Sequence, residues 1–278
     1  MSAYCYLNGE IKPLVEAKVS INDIGLLRGY GIYDGLATFN GKPFRFADHF
    51  KRFLDGAHAL NLNIPITEEK AEKVIMEIVE KSGFKDRANI RMILTGGETI
   101  AGIEYDFDKP TFYIIADKFE PLPKENYEKG AKLITYRYKR EMPEHKTINY
   151  ITAVNLQNHK KEEGAIEILF VYDGEVLECS TSNIFLVKDK KLITPVEGVL
   201  EGITKKVMVE IADRAGLEVE ERIVYEEELK TADEIFITSS FKDVVPVVKI
   251  DDFVVKNGEV GEVTKDLIEK FAKVVNTG

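Results

Sequence analysis

The polar stretch Lys118-Phe119-Glu120-Pro121-Leu122-Pro123 constrains the fold most, because its two prolines stop a helix or a ladder strand from running through the middle of the chain. The sequence therefore predicts two domains, 1–117 and 124–278, joined by a linker at 118–123. With 278 residues, each half has enough chain to bury a modest core. In the first half, Tyr4 to Leu7, the pair Asn8-Gly9 and the residues from Glu10 onward spell a hairpin with a type I′ turn. Phe46, Phe50, Phe53, Leu54, Ala57 and Leu60 recur at helical spacing. Thr67 then caps a second helix that carries Ala71, Val74, Ile75, Ile78 and Val79 and stops before Gly83. Strands are expected at 89–94 and 111–116.

The second half opens with a strand near 133–138, followed by a helix that ends at Gly164. A hairpin follows from Ile166 through Asp173-Gly174 to Leu177. The hydroxyl-rich Ser180-Thr181-Ser182-Asn183 then turns the chain into a strand at 184–187. Gly202 precedes a helix with Val207, Met208, Ile211 and Ala215 on one face, closed by Gly216. Strands at 217–224, 234–238 and 244–250 and a last helix bearing Val263, Leu267, Phe271, Val274 and Val275 complete an α+β pattern.

Charge narrows the function. With 38 Lys and Arg against 48 Asp and Glu, the net charge is −10, and no face or tail gathers the cations needed to displace counterions from a nucleic acid. Apolar runs fall short of a membrane span, and the first residues lack a signal-peptide pattern, so a cytoplasmic protein is expected. Two cysteines far apart, Cys5 and Cys179, do not make a disulfide framework. His49, His58, His145 and His159 show no metal-ligand spacing, so no metal is expected.

Four ordered motifs remain. They are His145-Lys146-Thr147-Ile148-Asn149-Tyr150, then Glu178-Cys179-Ser180-Thr181-Ser182-Asn183-Ile184-Phe185, then Leu200-Glu201-Gly202-Ile203-Thr204, and last Phe236-Ile237-Thr238-Ser239-Ser240. Their order and spacing resemble the class IV aminotransferases, the fold-type IV pyridoxal 5'-phosphate enzymes, a family that includes D-amino acid and branched-chain aminotransferases and aminodeoxychorismate lyase. The resemblance implies a two-domain α+β fold and a homodimer. It also implies Lys146 as the Schiff-base lysine and proton carrier, and Glu178 as the partner of the cofactor's pyridinium nitrogen.

For the cofactor phosphate, the resemblance points to Arg52, to the amides of Ile203 and Thr204 with the Thr204 hydroxyl at a helix N-terminus, and to Ser239 and Ser240 in a second loop. Plain local roles compete: a solvated helix position for Arg52, an N-cap for Thr204, turn formers for the two serines. Tyr33 matches a position lining the substrate pocket, with a core aromatic as the alternative. Asp34 stands where the family usually has Glu, and Leu94-Thr95-Gly96-Gly97-Glu98 lacks the Arg and His that hold the substrate carboxylate in bacterial D-amino acid enzymes. Arg28, Arg91 and Lys242 are the candidate replacements. Phe241-Lys242 crowds and charges a turn that is small in branched-chain enzymes. The expected reaction is therefore amino transfer between an amino acid, D-amino acids foremost, and a 2-oxo acid such as 2-oxoglutarate or pyruvate. Branched-chain L-amino acids come second, and a lyase reaction or cofactor binding without turnover third.

Overall fold

The computed structural model describes residues 3–277, and they divide into two compact units. One comprises residues 3–120 together with His145–Tyr150, the other Pro121–Glu144 together with residues 151–277. The first break falls inside the expected linker. The lysine-bearing segment, however, expected with the second domain, belongs to the first unit. The reason is backbone pairing: Tyr33 N–H donates to Lys146 O at 2.9 Å and Ile148 N–H to Gly31 O at 3.0 Å, so the segment lies alongside the strand Gly31–Phe39.

In the first unit, a six-stranded antiparallel sheet runs in the order Glu10–Pro13, Tyr4–Leu7, Thr111–Lys118, Ala88–Thr95, Gly31–Phe39, Lys42–Pro43. Asn8 and Gly9 both have positive φ (46° and 103°), as a type I′ turn requires. The helices Phe46–Ala59 and Glu68–Ser82 contribute to the core with the faces read from their periodicity, except that Leu54 is half-buried and stays outside it. Thr67 Oγ1 accepts from Lys70 N–H at 3.3 Å, and Gly83 closes the second helix at φ 75°. Phe53 and Phe112, each 1% exposed or less, meet at the centre of that core with ring centroids 6.0 Å apart.

The second unit is built on a ten-stranded mixed sheet. Its central order is Asn183–Lys188, Glu234–Ser239, Asp243–Ile250, Ala131–Arg137, Glu167–Tyr172, Glu175–Cys179, and Ala131–Arg137 runs parallel to both of its neighbours. Phe185 and Phe236 stack across paired strands at 4.9 Å. The single helix expected to end at Gly164 is instead two short pieces, Ile151–Asn155 and Gln157–Glu162. Ala153 is the buried residue within these pieces, so packing supplies little to keep the helix continuous through Leu156. Among the described residues, no helix is long and apolar enough to cross a membrane, and no His, Cys, Asp and Glu cluster could hold a metal ion.

Candidate active site

In the first unit, Gly31 lies beside the Lys146 segment with no room for a side chain: a Cβ there would come 2.6 Å from Leu94 O on the neighbouring strand and 3.0 Å from Ile148 Cδ1. Pairing of Ile32 with Thr147 sets Lys146 beside Tyr33. The Lys146 Nζ lies 4.5 Å from the centre of the Tyr33 ring, within cation–π range. Tyr33 donates its hydroxyl hydrogen to Tyr150 Oη at 2.5 Å, and the two rings meet edge to face. Tyr150 was not singled out from the sequence, though it ends the quoted lysine motif. The expected site pair Lys146 and Tyr33 is thus brought together.

On the opposite side of the pleat from Tyr33, Asp34 is fully buried. Arg52 donates to it twice, Nε to Oδ2 at 2.8 Å and Nη2 to Oδ1 at 3.0 Å, while His49 Nδ1 lies 2.7 Å from Oδ1. His49 and Arg52 are three residues apart on the helix Phe46–Ala59 and therefore share a face. Burial alone would raise the Asp34 pKa, but the Arg52 charge and the bonds from both partners hold it well below the usual range. For His49 the balance goes the other way. Burial lowers its pKa more than the Asp34 charge raises it, so the ring is neutral and Nδ1 carries the hydrogen given to Asp34. Arg52 is accordingly a fixed cation rather than a solvated helix residue, at 12% side-chain exposure. A buried acid as its holder was signalled only by Asp34 standing within an apolar strand.

In the second unit, Glu178 lies one residue from the end of the strand Glu175–Cys179, with its side chain 8% exposed. Its Oε1 accepts from Arg140 Nε at 2.7 Å and its Oε2 from the Leu200 amide at 3.0 Å. Arg140 also donates to Pro143 O. Arg140 was missed from the sequence, since nothing local ties it to a carboxylate 38 positions on.

The helix Ile203–Arg214 has Gly202 at its N-cap, so Thr204 lies inside the first turn and its reading as an N-cap is corrected. Gly202 cannot cap with a side chain, and Ile203 and Thr204 are buried at a helix N-terminus where amides and dipole suit an anion. The second expected phosphate loop is the tight connection Ser240-Phe241-Lys242 between Glu234–Ser239 and Asp243–Ile250. Asp243 closes it at φ 58°, and Lys242 N–H donates to Ser239 Oγ at 3.1 Å.

The three cations expected at the substrate carboxylate have other engagements. Arg28 ends the short helix Ile24–Arg28, is exposed, and donates to Leu27 O at 2.8 Å. Arg91 is exposed on its strand and pairs with Asp117. Lys242 Nζ lies 2.7 Å from the buried Glu167 and also donates to Thr181 Oγ1.

These donor sets fit pyridoxal phosphate. The first unit offers an amine against an aromatic wall and a fixed arginine, and the second a buried carboxylate and a helix N-terminus opened by glycine. Comparison with known proteins agrees. A sequence model of amino-transferase class IV matches residues 31–250. A Methanocaldococcus jannaschii protein, provisionally named a branched-chain-amino-acid aminotransferase, is 36% identical over 97% of this chain and 95% of its own length. A D-alanine aminotransferase of Staphylococcus aureus is 30% identical over 98% of both. A crystal structure of a branched-chain amino acid aminotransferase with pyridoxamine 5'-phosphate superimposes at a TM-score of 0.92 and 28% identity, over 100% of this chain and 95% of that one. The corresponding enzyme of the archaeon Thermoproteus uzoniensis, solved with norvaline, superimposes at 0.87 and 28% identity, over 100% of this chain and 96% of that one. The chain belongs to the class IV aminotransferase family: it is an aminotransferase, with the pyridoxal phosphate cofactor that its class uses.

Proposed function

We propose that this enzyme moves amino groups between branched-chain L-amino acids and a 2-oxo acid such as 2-oxoglutarate. The observation that supports this substrate class is the Lys242–Glu167 ion pair. The expectation of a D-amino acid or dicarboxylate substrate drew on Phe241-Lys242 crowding and charging the turn, and the Lys242 charge is met by the buried Glu167. The 36% identity to the archaeal relative points the same way.

Bound pyridoxal phosphate supplies an electron sink that acidifies the substrate α-carbon. Lys146 Nζ takes the α-proton and returns it during transfer, with Tyr33 and Tyr150 forming a wall beside the amine. Glu178, kept in place by Arg140 and the Leu200 amide, accepts the hydrogen on the ring nitrogen. In the second unit the Ile203 and Thr204 amides, the Thr204 hydroxyl, and Ser239 with Ser240 would hold the phosphate, and family resemblance assigns Arg52 of the first unit to the same group. A homodimer accompanies this reading by family likeness.

A D-amino acid aminotransferase is the second reading, favoured by the D-alanine aminotransferase relative that matches across 98% of the chain. A half-reaction panel separates the two. Bleaching of the cofactor's visible absorbance is expected to be fastest with L-leucine, L-isoleucine or L-valine. Faster bleaching by D-alanine or D-glutamate than by any L-form would overturn the branched-chain assignment in favour of the second.

A further inference from the structure

Glu167 opens the strand Glu167–Tyr172 with its side chain 2% exposed, far from the usual surface setting of a glutamate. Its two oxygens gather four donors from two different turns. Ser180 Oγ donates to Oε2; Thr181 Oγ1, Ser182 Oγ (3.0 Å) and Lys242 Nζ (2.7 Å) donate to Oε1. The first three come from the turn that directly follows Glu178 and Cys179. That turn is also tied down by its backbone, Ser180 N–H to Ile168 O at 2.9 Å and Cys179 N–H to Ser182 O at 2.8 Å. The fourth comes from the loop after Ser239 and Ser240, and the Lys242 ammonium additionally bonds Thr181. In the sheet, the strand that leaves this loop is separated from the strand of Glu167 by Ala131–Arg137. A long, charged side chain is what spans the gap.

We propose that Lys242, through the buried Glu167, is a positioning residue that locks the Ser239–Ser240 loop to the turn following Glu178, so that the phosphate contact and the ring-nitrogen carboxylate keep a fixed spacing. The inference rests on the cofactor roles assigned above to Ser239, Ser240 and Glu178. Stability alone is a poor reason for such a pair, because a buried ion pair is often no better than apolar residues of the same volume. Its geometry does serve a site, since cofactor groups need support from bonded neighbours behind them. Burial pushes the Glu167 pKa up, but the Lys242 charge and its hydrogen bond, with those of Ser180 and Thr181, bring it down to about 2, so Glu167 is ionised at neutral pH.

The test uses Lys242→Met, Lys242→Arg and the double variant Glu167→Gln with Lys242→Met. Each apoprotein is titrated with pyridoxamine 5'-phosphate and, separately, with pyridoxamine, which lacks the phosphate, while thermal midpoints are recorded. Lys242→Met leaves a buried charge unpaired and should melt lower, whereas the double variant removes both charges and should recover much of that loss. If the pair positions the loop, the double variant still binds pyridoxamine 5'-phosphate roughly tenfold or more weakly than wild type. Pyridoxamine should bind within about twofold of wild type, and Lys242→Arg should restore most of the phosphate-dependent affinity. A double variant that binds pyridoxamine 5'-phosphate as wild type does would show that the pair only stabilises, and the lock would fall while the cofactor assignment stood. A wild-type protein that gains nothing from the phosphate group would overturn both.

Discussion

Glu178 accepts from two donors on two different oxygens, and this limits what can replace it. Glutamine has one acceptor oxygen, so Glu178→Gln turns an N–H toward either Arg140 or the Leu200 amide. The substitution should lower stability by about 1–3 kcal/mol, the scale of a donor left unsatisfied in a buried place. It also removes the negative charge opposite the cofactor nitrogen, and turnover should fall by ~10² or more if that charge contributes about 3 kcal/mol. Half-reaction rates measured beside a melting curve separate the two effects, and a rate within twofold of wild type would remove Glu178 from the cofactor. Lys146 has the simpler prediction. Lys146→Ala deletes both the attachment point and the proton carrier, so transamination should vanish and borohydride should fix no cofactor to the chain. Near wild-type turnover in that variant would sink the central assignment.

At the scale of elements, the features legible in the sequence are those whose causes are local. The faces of Phe46–Ala59 and Glu68–Ser82, the Thr67 cap, the Gly83 stop and the Asn8-Gly9 turn each follow from residues within one or two turns of chain. Lys146 and Glu178 were singled out only through motif order, because neither periodicity nor composition marks them. What escaped depends on contacts between distant segments: the Lys146 segment pairing with Gly31–Phe39, Arg140 on Glu178, and Glu167 beneath two turns.

Gly202 links such contacts to a helix start. Its φ of −70° is ordinary, so its requirement is space rather than backbone freedom: a Cβ would sit 1.9 Å from Asn183 Oδ1. Asn183 in turn donates to Leu200 O at 2.8 Å, and the Leu200 amide serves Glu178. Gly202→Ala should therefore displace Asn183, cost about 1–3 kcal/mol, and weaken pyridoxamine 5'-phosphate binding. Adding Asn183→Ala should relieve the clash and raise the midpoint of the single variant. A Gly202→Ala protein that melts and binds like wild type would mean that the helix start has room to give.

Across the whole molecule, each compact unit carries a buried carboxylate, Asp34 in the first and Glu167 in the second, and the first also carries buried His49. Their signs agree. The folded pKa of each carboxylate lies below its unfolded value of roughly 4, so the stability each contributes is complete above about pH 5 and fades as the pH falls through the folded pKa. His49 has a folded pKa below its unfolded value of about 6.5, so its neutral, Asp34-bonded form adds stability above that pH and loses it on acidification. The second unit has its own histidine, His159, but on an exposed helix. The units should therefore respond to acid in order. Between about pH 7 and pH 5, amide-exchange protection should decline in the strand Gly31–Phe39 and the helix Phe46–Ala59 while holding in Glu167–Tyr172 and Asp243–Ile250. Below about pH 4.5, both should weaken. His49→Gln keeps a side-chain donor for Asp34 without the titration, so the early decline in the first unit should disappear in that variant. Equal loss of protection in both units over that first interval, or an early decline that survives His49→Gln, would show that His49 does not set the acid response of the first unit.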